Sequence, residues 1–115
     1  MATITEDYCS QEVYRLLREK GFDGEIHTTF DKEGYTQASI TLQMAMKWLR
    51  EVHGLHISLE PCYDYDSMHV IFLAFVQNVA DVHEFMDGRK NVASYPNAEK
   101  SYELAIKYCL EHLID

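Results

Sequence analysis

Residues 41–60 read TLQMAMKWLREVHGLHISLE, and the hydrophobic period changes inside them. Leu42, Ala45, Met46, Leu49 and Val52 recur at three- and four-residue spacing, flanked by Met44 and Trp48. That spacing predicts an amphipathic helix. Thr41 is its expected N-cap, with Ser39 or Thr36 as rivals, and Gly54 its expected stop. Lys47, Arg50 and Glu51 mark the wet side, Lys47 and Glu51 being an i,i+4 pair. Past Gly54 the period falls to two. Leu55, Ile57 and Leu59 alternate with His56, Ser58 and Glu60, the pattern of a strand buried on one face. Pro61 is expected to end it.

Working outward, Cys62–Ser67 reads as a turn carrying Tyr63 and Tyr65. Met68–Gln77 follows as a strand apolar on both faces, with Val70, Phe72, Ala74 and Val76 on one side and Ile71, Leu73 and Phe75 on the other. Asp87-Gly88 is a type I′ hairpin signal. It is expected to join a strand near Asp81–Met86 to one near Arg89–Tyr95. Pro96 and Asn97 open a last helix with the stripe Ala98, Tyr102, Ala105, Ile106, Cys109, Leu110 and Leu113. Toward the N-terminus, Val13, Leu16 and Leu17, joined by Cys9, predict a helix capped by Thr5, Asp7 or Ser10 and stopped at Gly21. The stretch Phe22–Ser39 is ambiguous. Ile26, Thr28 and Phe30 alternate and Lys32-Glu33-Gly34 is turn chemistry, so it reads as a loose hairpin or a long loop. The order is helix, ambiguous segment, helix, two to four antiparallel strands, helix. It predicts one two-layer α+β domain over residues 1–115, with helices packed on one face of the sheet.

The chain has 115 residues, 47% of them hydrophobic, with ten Lys+Arg against nineteen Asp+Glu and a net charge of −9. Such a chain has core enough to fold without a metal or disulfide staple. Phosphate backbones and anionic membranes need clustered basic residues. The basic residues here are scattered, so nucleic acid and membrane are not expected as partners. The first seven residues show no basic then apolar pattern, so no secretory signal is expected. The longest apolar run, Val70–Val76, is too short to span a bilayer. Three cysteines, Cys9, Cys62 and Cys109, form no CxxC and read as free thiols in a reducing cytoplasm.

The chemistry-bearing residues form no complete motif. The six histidines are dispersed. His53 and His56 are separated by the helix-ending Gly54, and Cys62 with His69 lacks the tight pairing of a zinc site. No metal and no cofactor is expected. GxSxG and glycine-rich phosphate loops are absent. Asp64 and Asp66 alternate with Tyr63 and Tyr65. As paired carboxylates they would do acid–base work, but in a turn such residues cap and solvate. Tyrosine gives a large contact area at low entropic cost, so the same stretch suits an interface. Trp48, the single tryptophan, reads first as a core boundary residue and second as an exposed partner anchor.

Residues 41–59 resemble a recurrent QxxxKWLRExHxIHIxI pattern of small uncharacterised proteins of gut bacteria and their phages and prophages. Residues 101–110 are similar to the C-terminal SYEEALExGL helix of that family. LLREKGFD, residues 16–23, is similar to its first helix and stop. The resemblance touches the whole chain and is densest around Trp48. Leu104 and Tyr108 depart from it, standing where the family favours acidic and small residues. The resemblance implies a phage or prophage context and assigns no catalytic residues. At the level of fold alone the order is also reminiscent of HicB-type antitoxins and double-stranded-RNA-binding domains.

The preferred reading is a non-catalytic cytoplasmic interaction protein of a mobile element. It would dock a protein partner through an acidic, tyrosine-bearing face formed by Tyr63, Asp64, Tyr65 and Asp66, with Trp48. The runner-up is a small enzyme or ligand-binding module with a pocket near Tyr63, Tyr65, His56 and His69. Self-association as a homodimer through Ile71, Leu73 and Phe75 is expected, unless Phe22, Ile26, Phe30 and Tyr35 fold back over that face. Leu49, Ile57, Phe72, Ile106 and Leu110 are expected to be buried together.

Overall fold

In a computed structural model, which describes residues 7–114, each main helix begins at a polar cap. The first, α1 (Gln11–Glu19), starts where the Ser10 hydroxyl accepts from the Val13 N–H at 3.3 Å. Thr5, a rival for that role, lies outside the described residues. α2 (Leu42–His53) starts at Thr41, whose hydroxyl accepts from the Met44 N–H at 3.2 Å, and it stops at Gly54 in the left-handed conformation, φ 69°. A five-residue α3 (Val82–Met86) is capped by Asp81, and α4 (Ala98–Tyr108) by Asn97. A π-helical turn, Cys109–Leu113, continues α4.

The ambiguous segment is a hairpin: β1 (His27–Phe30) pairs antiparallel with β2 (Thr36–Ser39). The Cys9 N–H donates to the Ile40 carbonyl at 2.9 Å and the Leu42 N–H to the Asp7 carbonyl at 2.9 Å, tying the start of the chain to the end of that hairpin. The main sheet has three antiparallel strands in the order β3-β4-β5: β3 (Leu55–Asp64), β4 (His69–Asn78) and β5 (Lys90–Tyr95). The register of β3 and β4 runs from Leu55 opposite Asn78 to Asp64 opposite His69. A bulge at Ala74/Phe75 shifts the pairing with β5.

The alternation places Leu55, Ile57 and Leu59 on the same face as Val76, Ala74 and Ala93. α2 and α4 pack on this sheet, and α1 packs against α4. Val13, Leu17, Ile40, Leu49, Ile106 and Leu110 form the fully buried centre of a two-layer α+β fold. The Ser101 hydroxyl, buried under α4, donates to the Phe72 carbonyl at 2.9 Å and pins the start of that helix to β4.

Four expectations need correction. Pro61 does not end β3; it sits within the strand opposite Phe72, and Cys62, Tyr63 and Asp64, expected in a turn, continue that strand. β3 is an edge strand, where a proline nitrogen facing away from the neighbour forfeits no ladder bond. Asp81–Met86 is not a strand. The Asp81 carboxylate accepts from the His83 and Glu84 N–H groups at 2.8 and 3.1 Å, nucleating a helical turn, and Gly88 at φ 95° closes that turn instead of a hairpin. Val52 leaves the α2 stripe and is 59% exposed, while Trp48 takes its place in the core. Of the five residues expected to share the core, Leu49, Ile57, Ile106 and Leu110 are buried; Phe72 is half-buried, because α4 begins beside it.

Candidate functional site

The cover supplied by α4 begins at the Phe72 row, and β3 and β4 run three residue pairs further: Cys62 with Ile71, Tyr63 with Val70, and Asp64 with His69. The connection Tyr65–Met68 closes this protruding hairpin. The Asp64 carbonyl accepts from the Met68 N–H at 2.8 Å and its carboxylate from the Asp66 N–H at 3.2 Å. Met68 adopts a left-handed φ of 62°. Asp64 is thus a turn-forming residue, and no acid–base pairing with Asp66 is needed to account for it.

The side chains at this tip are exposed and apolar. Tyr65 is 81% exposed and Met68 68%; Tyr63 and Val70 are each about half exposed, and Tyr95 flanks them beside the Phe72 row. The Tyr63 and Tyr65 rings stack edge to face with centroids 4.9 Å apart, and the Tyr63 hydroxyl lies 3.7 Å from the Met68 sulfur. Two rings already held against each other lose little freedom on binding. The arrangement offers an aromatic surface beside the exposed carboxylate of Asp66.

Trp48 is not part of it. It is 7% exposed and packs edge-on to Phe22 (5.7 Å) and His53 (4.7 Å). That cluster adjoins the start of β3, a ten-residue strand, about 30 Å from the tip at 3.3 Å per residue. The tetrad Tyr63, Tyr65, His56 and His69 is likewise not assembled. His56 pairs with Gln77 and His69 with Asp64, at opposite ends of the ladder, and Tyr63 points to the other face. A cleft of 440 Å³ lies elsewhere, lined by Leu55, Val76, Glu84 and Lys90 among others.

Ile71, Leu73 and Phe75 occupy the sheet face away from α2 and α4, and all three are half-buried. The β1–β2 hairpin does not cover them, since Phe30 and Tyr35 are 70% and 72% exposed. Instead the Arg89 guanidinium lies 3.9 Å over the Phe75 ring, held by Glu60 at 2.7 Å.

Among the described residues no three His, Cys, Asp or Glu side chains converge as a metal site. Burial pushes the Cys9 and Cys109 thiols up to about 12, with Glu103 adding to the effect at Cys9. Cys62 is exposed. A hydrogen bond from Lys107 (2.7 Å) and its charge hold the Glu12 carboxyl below its ordinary range. No helix of the described residues is long and apolar enough to cross a membrane.

No family model, curated protein or solved structure matches the chain. The fold is α+β, and its β3–β4 hairpin tip is exposed. Met68, Val70 and Tyr95 of that tip escape sequence reading, because nothing local tells where the helical cover begins. The exposed pair Phe30 and Tyr35 escapes it for the same reason.

Proposed function

We propose that the protein is a non-catalytic docking protein that engages a protein partner through the β3–β4 tip. The observation that carries this reading is the contiguous exposure of Tyr63, Tyr65, Met68 and Val70 beyond the edge of the helical layer. Exposed apolar surface of this kind, rimmed by polar groups, is typical of interaction sites. Tyrosine is among the side chains that contribute most at such sites. The rim carries Asp64 and Asp66 on a chain of net charge −9, which favours a partner with a basic surface. The resemblance of residues 41–59 to phage and prophage proteins supports a partner from a bacterial host or its phage, and the free thiols support a cytoplasmic setting.

The test is capture from host and phage-infected lysates with the wild-type protein and a Tyr63→Ala/Tyr65→Ala variant of equal thermal stability. A partner retained by the wild type and lost by the variant supports the reading. A partner retained equally by both refutes it.

The half-buried outer face of β4 favours a second contact, self-association of two copies through Ile71, Leu73 and Phe75. A two-fold pair is the commonest closed solution for such a face.

A further inference from the structure

The opposite end of the sheet from the tip holds a cleft of 440 Å³, within the size range of small-molecule sites. Its apolar lining is Leu55 at the start of β3, Val76 near the end of β4, and Leu113 on the π-helical turn. Its polar lining includes Glu84 of α3 and Lys90 at the start of β5, both exposed, and Tyr108 at the end of α4. The Lys90 ammonium donates to the Tyr108 hydroxyl oxygen at 2.6 Å and lies 5.1 Å from the centre of that ring. The Glu84 carboxylate accepts from the Asn78 amide. Lys90 and Glu84 face one cleft, yet they make no ion pair with each other: each is held by a neutral partner. A carboxylate has room for further donors, and an ammonium has three protons to give. The helix departs from α geometry at Cys109–Leu113, directly after Tyr108, and ends there at the extended Ile114.

We infer that this cleft binds a small α-amino acid with an apolar side chain. The ligand carboxylate accepts from Lys90 and from the Tyr108 hydroxyl. The ligand ammonium donates to Glu84. The side chain lies on Leu55, Val76 and Leu113. Charges of opposite sign lining one cleft together with apolar side chains suit a zwitterion, and an uncharged or singly charged molecule leaves one of them unused. The site is independent of the docking reading, since the two lie at opposite ends of the β3–β4 ladder.

Titration of the full chain with L-leucine, L-isoleucine and L-phenylalanine, followed by amide chemical shifts and calorimetry, tests the inference. At least one is expected to bind with micromolar to millimolar affinity and to shift the amides of Lys90, Tyr108 and Leu113. N-acetyl-L-leucine and L-leucinamide, each lacking one charge, are expected to bind about tenfold more weakly or not at all. Lys90→Met and Glu84→Gln should each weaken the amino acid by about tenfold or more. Glu84→Gln should leave the residual affinity of N-acetyl-L-leucine unchanged. Val82→Ala, on the same short helix but outside the cleft, should change nothing and controls for loss of α3. No shift at millimolar concentrations of all three amino acids overturns the inference. So does equal binding of the single-charge analogues, or a response confined to residues outside the cleft.

Discussion

Leu49 and Leu110 are fully buried at the junction of the helices and the sheet. Truncating either to alanine is expected to cost about 2–5 kcal/mol, measured by urea unfolding. Val52, one turn from Leu49 on the same helix but exposed, should change stability by less than about 0.5 kcal/mol as Val52→Ala. The cysteines divide in the same way. Cys62 is exposed, whereas Cys9 and Cys109 are buried. A thiol reagent should modify Cys62 rapidly in the native protein, and the other two only at the rate of unfolding. The buried thiols also fix a pH dependence. Burial raises both from 9.0 to about 12 in the folded chain, so the folded state holds its protons more tightly than the unfolded one. The stability they contribute is complete below pH 9 and is lost as pH rises toward 12. The urea midpoint should therefore fall between pH 8 and pH 11 by more in the wild type than in Cys109→Ala. An equal fall in both would remove the thiol from the account.

At the scale of elements, the joint between α2 and β3 is the most constrained backbone position. Gly54 has φ 69°, and a Cβ placed there would stand 2.3 Å from the Ala80 Cβ. Gly54→Ala meets both a steric clash and an unfavourable φ. Gly34, at φ 88°, has open space around it. Thermal denaturation should show Gly54→Ala lowering the midpoint well below that of Gly34→Ala; equal shifts would mean that the Ala80 contact is not part of the fold. This joint was also the most legible part of the sequence. The period there changes from 3.6 to 2 at one glycine, and the observed α2 and β3 meet at that residue. The failures came where a local signal had two meanings. Asp87-Gly88 serves a hairpin turn or a helix stop equally well, and only the cap at Asp81 decides between them. Pro61 reads as a terminator until β3 is known to be an edge, a property of topology that no local pattern carries.

On the scale of the whole molecule, the same limit explains what could be read of the site. Tyr65 and Asp66 were legible as a turn, whereas Tyr63 and Asp64, read as part of the same turn, end strand β3. Their projection past α4 depends on where that helix lands on β4. Trp48 is a core residue because Phe22, twenty-six positions away in the sequence but adjacent in space, packs against it. The half-buried face of Ile71, Leu73 and Phe75 carries the prediction of a dimer at micromolar concentration by sedimentation equilibrium. Leu73→Asp should yield a folded monomer. A wild-type protein that sediments at 13.4 kDa would show that Arg89 and Glu60 suffice to cover the face. The docking claim is tested most directly by a photo-crosslinking phenylalanine analogue placed at Tyr65 or, as the control, at Tyr35. The two positions are 81% and 72% exposed and sit on different hairpins. The account predicts a discrete crosslinked product in host lysate from position 65 and none from position 35; the same products from both, or none from position 65, would contradict it.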